Sequence, residues 1–354
     1  MSKLDKLRQE IINAGLDAVI VYDELNQRYL SDFLFSDGFL IITRSEAYLV
    51  TDFRYYEMAL SMARSDFQVV MPKNRNDFIS ELFEKQGIRS VGFEGNSLSY
   101  GRYCDFVSKY PDVKFVDIGQ MIENIRQIKT EEEIENIKRA QEITDSAFSH
   151  ILKMLTPNMT ELDVAAELEY FMKRNGSEGV AFDTIAVSGT ASALPHGTPR
   201  NLKLQKGFLT MDFGAKYNGY CSDMTRTVVI GKADSEMKKL YSTVLKAQAA
   251  ALDFLREGCD CHEADKIARD IIDAEYKGSF GHSLGHSVGL FIHEEPSLSS
   301  RFAGRKLRRG EIVTVEPGIY LFGKYGCRIE DMVEILDGGI YNFTHSEKEL
   351  IEIL

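Results

Sequence analysis

The sequence predicts a two-domain α/β protein, on three observations. Its 354 residues are about two domains' worth of chain at roughly 150 residues each. Short apolar runs interleave with helical periodicity as far as residue 118, the pattern of a sheet covered by helices. At Thr130 the pattern changes to long amphipathic helices that bracket two strand-rich segments. The boundary is expected near residue 125, giving domains 1–125 and 126–354.

In the first domain, Leu4, Leu7, Ile11 and Ala14 mark one helix face, and Gly15 stops it. Strands are expected at 17–22, 39–43, 47–51, 67–71, 90–93 and 113–118, with helices at 54–63 and 76–86 between them. Nothing here concentrates His, Asp and Glu, so a structural or oligomerisation role is expected. In the second domain Thr130, with Glu133 three residues on, reads as a capping box. Ile134, Ile137, Ala140, Ile143, Ala147, Ile151 and Met154 follow at helical spacing up to Pro157. The acidic run 131–133 is expected to be a solvated helix start. Further helices are expected at 161–173, 235–256 and 262–276, and a long Ser-, Thr-, Gly- and Pro-rich loop at 187–207.

Composition narrows the function classes. Acidic residues outnumber basic ones 54 to 42, a net charge of −12, which excludes an ordinary nucleic-acid or anionic-membrane binder and suits a protein that gathers carboxylates around cations. No apolar run approaches the length of a membrane span, and the N-terminus has no apolar signal region, so a cytoplasmic protein is expected. Five cysteines, an odd number scattered along a large chain, do not form a disulfide framework. Cys259 and Cys261 lack a second Cys/His pair at zinc-site spacing and read as a linker between helices.

The chemistry concentrates in three segments. In 208–230, Asn218-Gly219 between two strand-like runs predicts a two-residue type I′ hairpin. That turn sets Tyr217 opposite Tyr220 and Asp212 opposite Thr225. Asp212 and Asp223 then emerge on one face as diagonal neighbours, about 7–8 Å apart at the backbone. Two converging carboxylates on buried strands repel unless something positive lies between them. In 311–336, a two-residue loop would put Glu316 and Glu330 on opposite faces, whereas a three-residue loop centred on Gly323, or one bulge, puts them opposite each other on one face. Between these pairs, 280–296 holds three of the seven histidines (His282, His286 and His293), with glycines at 281, 285 and 289 that permit close backbone approach. His196, in the polar loop ahead of the first hairpin, is expected to serve the same site. His150, His262 and His345 have no such company and are expected to pack or face solvent.

The runs MDFGAKYNGYCSDMTRT, GHSLGHSVGLFIHEEP, VTVEPGIY and GCRIED closely resemble the pita-bread metallopeptidases, the prolidases and Xaa-Pro aminopeptidases. The segment from AGLDAVIVYDELNQRYLSDF to DGFLIITRSEAYLVTDFRYYEMA resembles the creatinase-type N-terminal domain, so the resemblance spans nearly the whole chain. It implies a creatinase-type α/β domain followed by a pita-bread α+β catalytic domain. It also implies Asp212, Asp223, His286, Glu316 and Glu330 as ligands of two divalent metals, bridged by Asp223 and Glu330. Four carboxylates offset the charge of two such ions, and hard oxygens with one imidazole suit Mn²⁺ foremost, or Co²⁺, Zn²⁺ or Fe²⁺. The implied reaction is attack of metal-activated hydroxide on the bond ahead of proline. In it Glu316 acts as general base and His196 and His293 stabilise the intermediate, while Tyr320 and Arg328 orient Asp212. The implied substrate is a proline-containing peptide, and the implied assembly a homodimer.

Two positions depart from the usual pattern without changing size much: Ser287 stands for glycine after the ligand histidine, and Cys327 for an aliphatic residue. A third bears on specificity. Ser297 stands where some prolidases carry an arginine that grips a dipeptide's carboxylate. Xaa-Pro aminopeptidase is therefore the expected activity, with Xaa-Pro dipeptidase as the alternative and a metal-free peptide-binding module as a third class that retention of all five ligands disfavours. Arg301 is one candidate to replace the missing clamp.

Overall fold

Residues 1–354, described by a computed structural model, form two units, Met1–Arg126 and Gln127–Leu354. In the first, strands β1 (Ala18–Val21), β2 (Phe39–Thr43), β3 (Ala47–Val50), β4 (Gln68–Val70), β5 (Ser90–Phe93) and β6 (Lys114–Asp117) make one mixed sheet in the order β4-β3-β2-β1-β5-β6. Every residue of β1, β2 and β3 is buried, as expected where helices cover both faces of a sheet. The helices are α1 (Lys3–Asn13), α2 (Glu24–Ser31), α3 (Phe53–Met62), α4 (Arg75–Gln86), α5 (Tyr100–Lys109) and α6 (Met121–Arg126). Periodicity misses α2, α5 and α6 for physical reasons. Helix α2 buries the polar Asn26 and Gln27, α5 buries only Phe106, and α6 is six residues long.

The second unit begins with α7 (Glu131–Met154) and α8 (Glu161–Arg174). Thr130 caps α7 reciprocally with Glu133. Glu131 and Glu132 are exposed, but Glu133 is buried and accepts from the Tyr220 hydroxyl at 2.6 Å, so the acidic run is not uniformly solvated. The expected loop at 187–207 also needs correction. It contains the end of strand β8 (Ile185–Ser188) and a 3₁₀ turn, Gly189–Ala193.

Strands β7 (Gly179–Val180), β9 (Gly207–Phe213), β10 (Ala215–Tyr217), β11 (Tyr220–Cys221) and β12 (Met224–Ile230) precede α9 (Ser235–Phe254) and α10 (Cys261–Tyr276). After them come β13 (Gly285–Ser287), β14 (Glu294–Leu298), β15 (Ile312–Val315), β16 (Gly318–Leu321), β17 (Tyr325–Arg328), β18 (Asp331–Leu336), β19 (Gly339–Asn342) and β20 (Glu352–Ile353). Two sheets hold the site: β20-β12-β9-β8, and β14-β13-β15-β18-β19. Apolar side chains of α9 and α10 form one core with residues of β14–β18, and α7 and α8 form another with β9 and β12. All five cysteines are free thiols, and Asp260 between Cys259 and Cys261 caps α10. No helix is long and apolar enough to cross a membrane.

Candidate metal centre

The first hairpin has the expected register. Asn218 and Gly219 both have positive φ, as a type I′ turn requires, and Tyr217 pairs with Tyr220 and Asp212 with Thr225. Between β10 and β9 the chain draws in so closely at Gly214 that a Cβ there would lie 1.9 Å from the Ser222 carbonyl oxygen. In the second pair the three-residue loop is the one realised. Leu321 pairs with Tyr325 around Gly323, whose φ is 76°, and Val315 pairs with Asp331. Glu316 and Glu330 are therefore brought opposite each other, immediately inside that last pair.

These acids line one cavity of about 380 Å³ with His196, His282, His286, His293 and Arg328. One ligand atom each from Asp223, His286 and Glu330 lie within 4.8 Å of one another. His286 Nε2 is 3.6 Å from Asp223 Oδ2 and 3.3 Å from Glu316 Oε1. The ring's Nδ1 faces the Ser287 carbonyl at 3.2 Å, which fixes the proton there and leaves the Nε2 lone pair aimed at two carboxylates. Burial, reinforced by His293, depresses His286 to about 4, so the imidazole is neutral.

The carboxyls are pushed the other way. Burial first, then the charges of Glu330 and Asp212, raise Asp223 well above its ordinary range, and burial with Glu316 and Asp212 does the same to Glu330. Burial lifts Glu316 to about 8. Neighbouring donors hold these groups in place. Thr225 Oγ1 donates to Glu330 at 2.7 Å, and Thr314 Oγ1 accepts from His286 N–H and donates to Glu316, both at 3.1 Å.

Arg328 is the one Lys or Arg in the lining. Its guanidinium donates to Asp212 Oδ2 at 2.6 Å, and a second nitrogen donates to the Tyr320 hydroxyl at 2.7 Å. Arg328 thus touches Asp212 directly, and Tyr320 acts through it. Tyr320 in turn meets His282 Nε2 at 2.9 Å, whose Nδ1 faces the Ser283 carbonyl. His282 is depressed to about 3 by burial and by Arg328, and so accepts as a neutral ring.

This donor set fits divalent metals. Asp212 Oδ1 is buried without a partner, a neutral imidazole presents its lone pair to carboxylates, and five acids line the cavity against one arginine. An array of lone pairs with so few donors is costly unless cations sit among them.

The cavity also contains residues that motif reasoning did not single out. His282 was visible as a histidine but carried no assigned role, and Phe182, Asp183 and Ile292 line the walls without any sequence signal. Thr225 was legible, since the hairpin register places it opposite Asp212. Conversely, Ser297 does not line the cavity. It pairs with His286 on β14 and donates to the Gly285 carbonyl at 3.0 Å. Arg301 is exposed and absent from the lining. Of the three glycines, 285 and 289 meet neighbours too closely for a Cβ, but Gly281 has open space. His150 pairs with Glu167 at 2.6 Å and stacks on Phe171, and His262 is half-buried at the start of α10.

Comparison with known proteins agrees with this architecture. The sequence pattern of metallopeptidase family M24 matches residues 135–337, and that of the creatinase/prolidase N-terminal domain matches residues 3–128. An Xaa-Pro dipeptidase of Pyrococcus horikoshii is 38% identical over 353 residues, covering 99% of this chain and 98% of that protein. Among solved structures, an Xaa-Pro dipeptidase from Bacillus anthracis matches with a TM-score of 0.95 at 39% identity, covering 99% of each chain. An X-Pro aminopeptidase from Thermotoga maritima matches at 0.93 and 35% identity, covering 99% of this chain and 100% of that one.

Proposed function

The chain belongs to metallopeptidase family M24, and from that premise we propose that it hydrolyses the bond between an N-terminal residue and proline. The observation that carries the reading is the cavity in which Asp212, Asp223, Glu316 and Glu330 face a neutral His286. These five residues would hold two divalent ions, Mn²⁺ by preference, which when bound would supply an acidified water and polarise the scissile carbonyl. The remaining work falls to side chains. Glu316 takes the proton from the attacking water and passes it to the departing proline nitrogen as the C–N bond breaks. His293, whose pKa is lowered by burial and by His196, can donate a ring N–H to the developing oxyanion, and His196 donates from the opposing loop. Arg328 and Tyr320 keep Asp212 aimed at its metal. Phe182, Ile185, Pro195 and Ile292 supply an apolar wall for the substrate.

Xaa-Pro-Yaa and longer peptides are the favoured substrates. The Arg328 guanidinium in the lining is already committed to Asp212, so the cavity wall offers no free clamp for a carboxylate directly after proline. The dipeptidase reading is favoured instead by the names of the P. horikoshii and B. anthracis proteins. Comparing kcat/KM for Xaa-Pro and Xaa-Pro-Yaa, at fixed Mn²⁺ and pH, separates the two. We expect the tripeptide to be preferred. A strong dipeptide preference would place a clamp on another residue, in this chain or a second copy, and make the enzyme a prolidase.

A homodimeric, cytoplasmic enzyme is part of the same proposal. Helix α3 buries only Ala59 and exposes Phe53, Met58, Leu60 and Met62, apolar side chains that a second copy would cover. Light scattering of the purified protein tests the assembly.

A further inference from the structure

Strand β13 presents His286 to the cavity, and the bend just ahead of β14 presents His293. The residues that follow these histidines, Ser287 on β13 and Glu294 at the start of β14, lie outside the cavity lining. A register shift between His286 and Ser287 sets Ser287 directly opposite Glu294. Against this pair comes Lys129, two residues ahead of α7. Its Nζ is 3.1 Å from Glu294 Oε2 and 3.3 Å from Ser287 Oγ. Its backbone N–H donates to the Gly310 carbonyl at 3.0 Å, which anchors the stem.

The pair is sealed from solvent, with the lysine side chain 2% exposed and the glutamate 9%. Its partners reach further along the loop. Glu294 Oε1 accepts from Phe291 N–H at 3.2 Å, and Ser287 Oγ donates to the Ile312 carbonyl at 2.8 Å. The Glu294 carboxylate lies over Gly289 so closely that a Cβ there would be 2.5 Å from Oε2. The Gly289 carbonyl accepts from Cys221 N–H at 2.8 Å, two residues before Asp223.

A buried ion pair is a poor way to gain stability, since apolar residues of the same volume serve packing as well or better. What it does provide here is fixed geometry. We propose that Lys129 and Glu294 are positioning residues that set the spacing of His286 and His293, whose rings stand 4.5 Å apart at 73°. The inference rests on the reading that His286 holds metal and His293 donates to the substrate. It also gives the serine at 287 a task that glycine could not perform, accepting from the lysine while donating to Ile312.

The test compares Lys129→Met and the charge-neutral pair Lys129→Met/Glu294→Gln with the unaltered protein, each loaded with Co²⁺. Kinetics on an Xaa-Pro-Yaa peptide and the visible Co²⁺ absorption are the two readouts. A displaced His293 lowers kcat about 10- to 100-fold with KM nearly unchanged. A displaced His286 changes the Co²⁺ spectrum. Should both charge variants fail to fold, Ser287→Ala keeps the ion pair and still removes one contact, and we expect kcat to fall about fivefold. Unchanged kcat and an unchanged spectrum in a folded variant overturn the proposal and leave the pair a purely structural element. If the unaltered protein cleaves no Xaa-Pro peptide, the functional reading fails, yet the Co²⁺ spectrum still decides whether the pair positions His286.

Discussion

Glu330 and Asp331 are consecutive, both buried, and opposite in electrostatic character. Glu330 faces the cavity, where burial and the charges of Glu316 and Asp212 raise its pKa well above the ordinary range. Asp331 faces the other side of the strand. Burial pushes it upward too, but Arg226 and Lys348 outweigh burial and bring it below its ordinary value. Arg226 donates to Asp331 Oδ1 at 2.8 Å, and Lys348 and Asn342 donate to Oδ2 at 2.6 and 2.8 Å. Strand β12 of the other sheet repeats the division, with Thr225 donating to Glu330 and the adjacent Arg226 serving Asp331. Burial alone therefore does not mark a metal ligand. An acid whose protein partners meet its charge is structural, and one surrounded by further acids waits for a cation.

The largest effect should come from breaking the unsatisfied side. Glu330→Ala is expected to abolish turnover and metal retention while circular dichroism stays native, and Asp223→Ala should behave alike. Metal-free Glu330→Gln should melt no lower than metal-free unaltered protein, because burial and its acidic neighbours already disfavour an ionised carboxylate there and a neutral amide suits the same place. Full metal loading with near-normal activity in Glu330→Ala would sink the assignment.

The satisfied side should fail differently. Asp331→Asn leaves the Arg226 guanidinium, 1% exposed, without its anion, and we expect a loss of about 3–5 kcal/mol in unfolding free energy. That loss should appear with and without metal. A variant that is stable but inactive would contradict the division between the two acids.

His293→Ala sharpens the distinction within the cavity. Its ring packs against the expected ligand His286 but holds no metal in the proposed scheme. Both metals should stay bound while kcat falls by about 10²–10³. Metal loss would mean that the two histidines have each other's roles.

The first unit supplies an intermediate case and the smallest effect. Glu94 is buried and raised to about 7 chiefly by desolvation, although the backbone N–H groups of Tyr22 and Asp23 and the Asn26 amide donate to it. Because its folded pKa lies above the ordinary value of 4.5, its contribution to stability is complete below about pH 4.5 and is lost as pH rises toward 7. The amplitude is about 3 kcal/mol at most. Melting temperatures from pH 4.5 to 8 should show Glu94→Gln losing less stability across this window than the unaltered protein. Parallel curves would show that burial does not tune this acid.

Much of this was legible in the sequence because it depends on short-range geometry. Asn218-Gly219 determined the first hairpin's register, and with it the placing of Asp212 opposite Thr225, since a two-residue turn leaves the strands no other pairing. Periodicity determined the central strands of the first unit and the faces of α7 and α8, while resemblance alone supplied the roles of the ligand residues. Other features waited for tertiary structure. Two loop lengths were open around Gly323, and the choice that brings Glu316 opposite Glu330 appears only in the folded strands. Ser297 looked like a determinant of substrate length but lies beside His286 with its hydroxyl on a carbonyl, outside the cavity. Helix α2 stayed hidden because its buried residues include Asn26 and Gln27, whose amides bond outside the helix, to Glu94 and to the Val21 carbonyl. The same holds for Glu330 and Asp331. Adjacent acids look alike along a chain, and only the side chains that long-range folding brings to each face decide which one is neutralised by cationic side chains and which is left among further acids.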